Sequence, residues 1–228
     1  MKKLASLAIA LIAALGAFAQ PEAGTFSLTP TVAFNTAELT GNVYDAKYQD
    51  YGECQGGIRL GFAVGVDAGY QVSKKFAVSA GVFYSLQGAT RDYSIKFPTT
   101  GYEYKDQSHL DLSYIKVPIL ANVYLFKGFA VKAGIQPGIL VAAKDKVKTT
   151  STASGETKKT VDMKDNFNSF DFSIPVGLSY EFRNGLMIGA RYEIGLTDVV
   201  KSSSALDKAG KSGKNSVLQI SLGYKFKL

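Results

Sequence analysis

Over the last eleven residues every second side chain is apolar: Leu218, Ile220, Leu222, Tyr224, Phe226 and Leu228 alternate with Gln219, Ser221, Gly223, Lys225 and Lys227. Successive side chains of a strand point to opposite faces, so a period of two describes a strand with one oily face and one polar face. The same rhythm runs through Leu186, Ile188, Ala190, Tyr192, Ile194 and Leu196 against Met187, Gly189, Arg191, Glu193, Gly195 and Thr197. Followed along all 228 residues, it predicts eight strands: about Phe26–Asn35, Ile58–Val72, Phe76–Gln87, Leu110–Phe126, Phe129–Ala143, Asn168–Phe182, Leu186–Asp198 and Asn215–Leu228.

The connections alternate in length. Ser73-Lys74-Lys75, Lys127-Gly128 and Arg183-Asn184-Gly185 are tight turns, whereas 36–57, 88–110, 144–168 and 199–214 read as long polar loops. An even number of antiparallel strands with short turns at one end and long loops at the other is the pattern of an up-and-down transmembrane barrel. A phrase recurs after two of the turns, Phe76-Ala77-Val78-Ser79-Ala80-Gly81-Val82 and Phe129-Ala130-Val131-Lys132-Ala133-Gly134-Ile135, so the hairpin is the repeating unit.

Polarity decides between a barrel in water and one in lipid. The phase opposite the oily one carries Arg59, Asp67, Lys132, Gln136, Asp171, Glu181, Arg191, Glu193 and Lys225, too many charged and polar groups for a dry core. They suit a polar lumen, and the oily phase, including Leu60, Phe62, Val64, Val66, Val78, Val82, Ile119, Val123, Ile135, Ile139, Ile174, Val176 and Leu178, then faces lipid. Aromatic residues near the tight turns and the C-terminus, among them Tyr70, Phe76, Tyr124, Phe126, Phe129, Tyr180, Phe182, Tyr224 and Phe226, predict a girdle at one interface, with that end toward the periplasm.

Other classes are disfavoured on simple grounds. After Gln20 no apolar run approaches the ~20 residues of a spanning helix. A single Cys54 forms no internal disulfide, and with a single His109 it cannot assemble a zinc site. No cofactor is expected. Lys2 and Lys3 precede an apolar run from Leu4 to Phe18 that ends in Ala17-Phe18-Ala19, so residues 1–19 read as a signal peptide cleaved before Gln20, with the barrel over 20–228. Loss of the two lysines lowers the formal charge from +7 to +5, and nucleic acid is not an expected partner of an exported chain.

Three sets of residues are candidates for function. Within an eight-stranded lumen, just wide enough for side chains to fill it, Arg59, Asp67, Lys132, Glu181, Arg191 and Glu193 supply both signs for a network of paired charges. A narrow solute channel is the alternative if they leave space. The only grouping suggestive of catalysis is His109, Asp111 and Ser113, two apart on one strand face, with Ser108 beside them. Neighbours of that kind are roughly 6.5–7 Å apart, too far for direct base-to-nucleophile contact, so an enzyme is not expected. In the outer loops, 144–168 and 199–214 together carry ten lysines against five acidic residues, while 36–57 carries four acidic residues against Lys47; a basic side of the rim suits lipopolysaccharide phosphates. Pro118, Pro137 and Pro175, inside strands at similar heights, predict bulges.

The phrases Tyr114-Ile115-Lys116-Val117-Pro118-Ile119-Leu120, Ala133-Gly134-Ile135-Gln136-Pro137-Gly138, Ala190 to Asp198 and the closing Gly223-Tyr224-Lys225-Phe226 occur in an order that resembles the small outer-membrane β-barrel domain of Gram-negative bacteria, the porin or PorT family of OmpA/OmpX-like barrels. The resemblance runs from about residue 24 to 228. It implies an outer-membrane location and insertion by the barrel-assembly machinery; separately, a monomer in contact with outer-membrane lipid is expected. It implies no catalytic residues, and its name alone suggests an accessory role in protein secretion. Leu228 stands where an aromatic residue is commoner.

Overall fold

The computed structural model describes residues 22–41, 52–97, 101–153, 155–202 and 212–228. The signal peptide expected over 1–19 lies outside the described residues, as do Asp45, Lys47 and Asp50 of one expected loop and Asp207, Lys208 and Lys211 of another. Eleven strands are described: β1 (Phe26–Gly41), β2 (Gly52–Ser73), β3 (Phe76–Phe97), β4 (Tyr102–Lys116), β5 (Ile119–Phe126), β6 (Phe129–Ser151), β7 (Gly155–Asp162), β8 (Phe170–Glu181), β9 (Leu186–Gly195), β10 (Gly213–Tyr224) and β11 (Phe226–Lys227). Their pairings close into a ring. β4 and β5 are two halves of one wall strand, β11 continues β10 along β1, and among the described residues β7 pairs only with β6, so the wall holds eight antiparallel strands. Closure is made by β1 against β10, with Val32 opposite Leu222 and Phe34 opposite Ile220.

The two faces of this wall are inverted relative to a protein that folds in water. Phe34 is 51% exposed, Phe62 49%, Ile139 59% and Ile220 54%, whereas Asn35, Gln87, Gln136 and Ser173 are 0% exposed. Apolar groups half exposed in a continuous belt, around a ring with no unpaired edge in the wall, match the demands of hydrocarbon, where every backbone group must bond within the protein. Aromatic pairs collect at the tight-turn end: Phe26–Tyr70 at 4.8 Å, Phe126–Phe129 at 4.7 Å, Tyr180–Phe182 at 4.9 Å and Tyr224–Phe226 at 4.8 Å between ring centroids. Gly128 makes the Lys127-Gly128 turn possible. Its φ of 76° is left-handed, and a Cβ there would meet the carbonyl oxygen of Glu181.

Two expectations change. Segments 88–110 and 144–168 are not mainly loops. β3 runs to Phe97 and meets β4 at Phe97–Tyr102, while β6 runs to Ser151 and turns directly into β7, with Ser151 opposite Gly155. These hairpins stand beyond the oily belt and are polar on most of their surface, so the backbone stays extended while the apolar rhythm that reveals a strand fades. The prolines also behave differently. Pro137 opposite Phe172 and Pro175 opposite Glu193 sit in ladders whose register does not shift, whereas Val117-Pro118 interrupts the wall strand between β4 and β5. The missing donor at Pro118 is accommodated by local bonds: its carbonyl accepts from Gly81 N–H at 3.0 Å, and Val117 N–H donates to Pro137 O at 2.9 Å.

Candidate functional site

The inward side chains fill the ring in layers. At the tight-turn end Lys225 Nζ lies 2.8 Å from Glu181 Oε2 and donates to Tyr124 Oη at 3.1 Å. The next layer holds Asp67 and Lys132, whose Nζ is 4.0 Å from Met187 Sδ. These three residues are shared by the linings of two small cavities of about 40 Å³ each. Such a volume admits a few water molecules, which suits Asp67 Oδ1, a buried oxygen with no hydrogen-bond donor among the described residues.

Above this the packing becomes dense. The Arg191 guanidinium stands 5.8 Å over the Phe83 ring and 3.2 Å from Glu193 Oε1. Glu193 Oε2 lies 3.1 Å from Lys116 Nζ, which lies 3.1 Å from Asp171 Oδ2 as well. Gln87 Nε2 donates to Glu193 at 3.3 Å, and Asn215 Nδ2 donates to Asp171 Oδ1 at 3.1 Å and to Tyr114 Oη at 3.3 Å. Gln219, Asn35 and Ser85 continue the chain, with bonds of 2.9 and 3.0 Å. The side chains of Lys116, Asp171 and Glu193 are only 1–2% exposed, a burial that charge tolerates when each ion is paired and bonded.

An apolar layer follows at the hairpin end. Leu110, Leu112, Leu140 and Ala143 of the wall pack with Phe167, Val199 and Val200, which come from the segments flanking β8 and β10. Those segments hold each other: Phe167 bridges Val200, and Asn168 Nδ2 donates to the carbonyls of Asp198 and Val200 at 2.8 and 3.0 Å. Asp198 Oδ1 accepts from Val200 N–H at 2.8 Å and Gly213 N–H at 3.1 Å.

Of the six charges expected in a lumen network, Arg191 and Glu193 are in contact, Asp67 and Lys132 face the cavities, and Glu181 pairs with Lys225. Arg59 stands apart. Its Nε lies 2.7 Å from Asp111 Oδ1 at the outer rim, where Lys146 Nζ also lies 2.8 Å from Asp111 Oδ2. Lys116 and Asp171, the centre of the buried cluster, were not among the six. Around His109 the structure separates what the sequence placed together: Asp111 is held by those two cations, Ser113 Oγ is bonded by Tyr84 Oη at 3.0 Å, and Ser108 Oγ donates to Asp145 Oδ1 at 2.5 Å.

Comparison with known proteins adds the family. A model described as outer membrane protein beta-barrel domain matches residues 18–201. No curated protein is similar enough to match. Among solved structures the chain is similar to Ail, the attachment invasion locus protein of Yersinia pestis, at 14% identity and a TM-score of 0.43 over 90% of this chain and 99% of that one. It is also similar to OprG of Pseudomonas aeruginosa, at 14% identity and 0.36 over 92% and 99%. AlkL is similar at 15% identity and 0.39 over 93% and 95%. The layered polar interior, the oily outer belt and a family match over most of its length identify this chain as an outer-membrane protein of a Gram-negative bacterium, a member of the outer membrane protein β-barrel domain family.

Proposed function

We propose that the protein is a rigid, non-conducting barrel that presents its outer hairpins for interaction and catalyses no reaction. The observation that supports this reading is the Lys116 layer. One ammonium group touches two carboxylates at 3.1 Å, Gln87 shares Oε2 of Glu193 with it while Arg191 takes Oε1, and the apolar group of Leu112, Leu140, Phe167 and Val199 lies directly above. A solute path needs a continuous column of water. Here opposite charges pair across the ring, and both cavities lie on the tight-turn side of this layer, as the small bore of an eight-stranded barrel favours. Rigid walls with outward hairpins suit recognition, because function on such scaffolds concentrates in the segments beyond the wall. The lysines of β6 and β7, Lys144, Lys146, Lys148, Lys158 and Lys159, favour a phosphate-bearing partner such as lipopolysaccharide.

Planar-bilayer recording on the refolded chain tests the closed lumen. The expected trace is flat at either polarity in molar salt. Reproducible unitary steps from wild-type protein would overturn the reading and favour a narrow solute channel.

A further inference from the structure

The rim cluster around Asp111 belongs to the outer surface of the wall. Tyr84 stands in register with Val64, which is 46% exposed, and its ring lies 6.0 Å from the ring of the exposed Phe62. Tyr84 Oη reaches Ser113 Oγ, so Ser113 shares that lipid-side face, and Asp111, two residues further along β4, shares it too. Two cations touch the Asp111 carboxylate, and a third is carried beside it on the neighbouring strand. Arg59 and Lys146 touch one oxygen each, and Lys144 is the register partner of Asp111 on β6. One carboxylate therefore spaces cations from β2 and β6 and leaves the group with a net charge of +2.

Height fixes what this charge meets. Phe129, at the girdle end of β6, and Val141, 42% exposed at the top of its oily run, are twelve residues apart. That is roughly 40 Å of strand, or about 30 Å of height at a tilt of ~40°. The hydrocarbon band of a barrel ends near there. The cluster thus continues the lipid-facing surface upward into the headgroup layer of the outer leaflet, where phosphates are the dominant fixed anions. Arginine offers a planar fork that matches phosphate, and lysine adds point charge.

We propose that Arg59, Lys144 and Lys146, spaced by Asp111, bind a phosphate group of lipid A in the outer leaflet. This specifies the partner of the interaction reading above and is independent of whether the lumen conducts. The test uses the full chain in lipid nanodiscs, counting co-isolated lipid by mass spectrometry, with folding checked by heat-modifiable electrophoretic mobility. Wild type is expected to retain bisphosphorylated lipid A about tenfold over the same lipid stripped of phosphate. Lys146→Gln, an exposed change that leaves the wall intact, and Arg59→Gln are each expected to erase most of that preference. Asp111→Asn separates a positioned site from diffuse attraction. It adds one positive charge, so diffuse attraction strengthens retention, whereas loss of spacing between the cations weakens it, which is the result expected. Tighter binding by Asp111→Asn or unchanged retention by Lys146→Gln would overturn the proposal. A conducting protein that still selects phosphorylated lipid A would sink only the closed-lumen reading.

Discussion

Lys116 and Arg59 show what decides the place of a single charge. Lys116 occurs in the phrase Tyr-Ile-Lys-Val-Pro, whose inward neighbours are Leu112, Tyr114 and Leu120, all buried. On that strand the inside is largely apolar, so a rule that equates the polar phase with the lumen passes over the one lysine that completes the network. Asp171 and Glu193 were legible because their strands obey the rule. Alternation with Leu60 and Phe62 points Arg59 inward, but the β2–β3 register shifts between Ile58 and Ala63, next to it. An extra residue in one strand re-aims the side chains around it. Because Lys116 is paired on both sides, Lys116→Met leaves two carboxylates buried without their shared cation. It is expected to cost about 3–5 kcal/mol in urea unfolding from lipid vesicles. Neutralising the carboxylates as well, in Lys116→Met/Asp171→Asn/Glu193→Gln, is expected to recover most of that loss; a single variant as stable as wild type would show that the layer is not held by its charges.

At the scale of elements, the wall strands were readable because one face is oily, and the hairpins beyond the belt were not because neither face is. β6 illustrates the change along one strand: Val131, Ala133, Ile135, Ile139 and Val141 face out within the belt, then, past a register shift against β4 between Leu140 and Ala142, Lys144, Lys146 and Lys148 take over. Beyond the belt, cross-strand charge replaces lipid contact. Glu156 Oε2 lies 2.9 Å from Lys148 Nζ, and Glu156 Oε1 lies 3.1 Å from Lys158 Nζ. The bonds from these two lysines hold the Glu156 carboxyl below its ordinary value of 4.5. A carboxyl lowered on folding supports the hairpin above its unfolded pKa, and that support is lost as pH falls through the lower folded value. The contact is fully exposed, so its effect is local. Amide exchange measured by NMR is expected to quicken in β7 below about pH 4.5 while the wall amides stay protected; exchange in β7 that is indifferent to pH across that range, after correction for intrinsic rates, would remove Glu156 from the account. Pro118 belongs at this scale too: its effect is a split strand, met by bonds that only the neighbouring strands can supply.

For the whole molecule, the ring of eight strands follows from two features of the chain: a period of two with one apolar phase, and turns that alternate between short and long. Both are properties of repetition, so they survive local irregularities such as the β2–β3 shift. What repetition does not contain is the interior arrangement. Phe167, Val199 and Val200 come from segments that lack strand rhythm, and their packing over Leu110, Leu112 and Leu140 depends on the long-range bond between Asn168 and Asp198. The lumen's layers are thus a product of closure, whereas the outer belt is written residue by residue.

The central claim is the direction of the apolar side chains, and nitroxide scanning of β10 in lipid vesicles measures it directly. Spin labels at 218, 220 and 222 are expected to collide with lipid-dissolved oxygen, and labels at 217, 219 and 221 to be shielded from it, giving a period of two in the relaxation rates. The opposite phase, with 217, 219 and 221 exposed to lipid and 218, 220 and 222 shielded, would contradict the barrel as described.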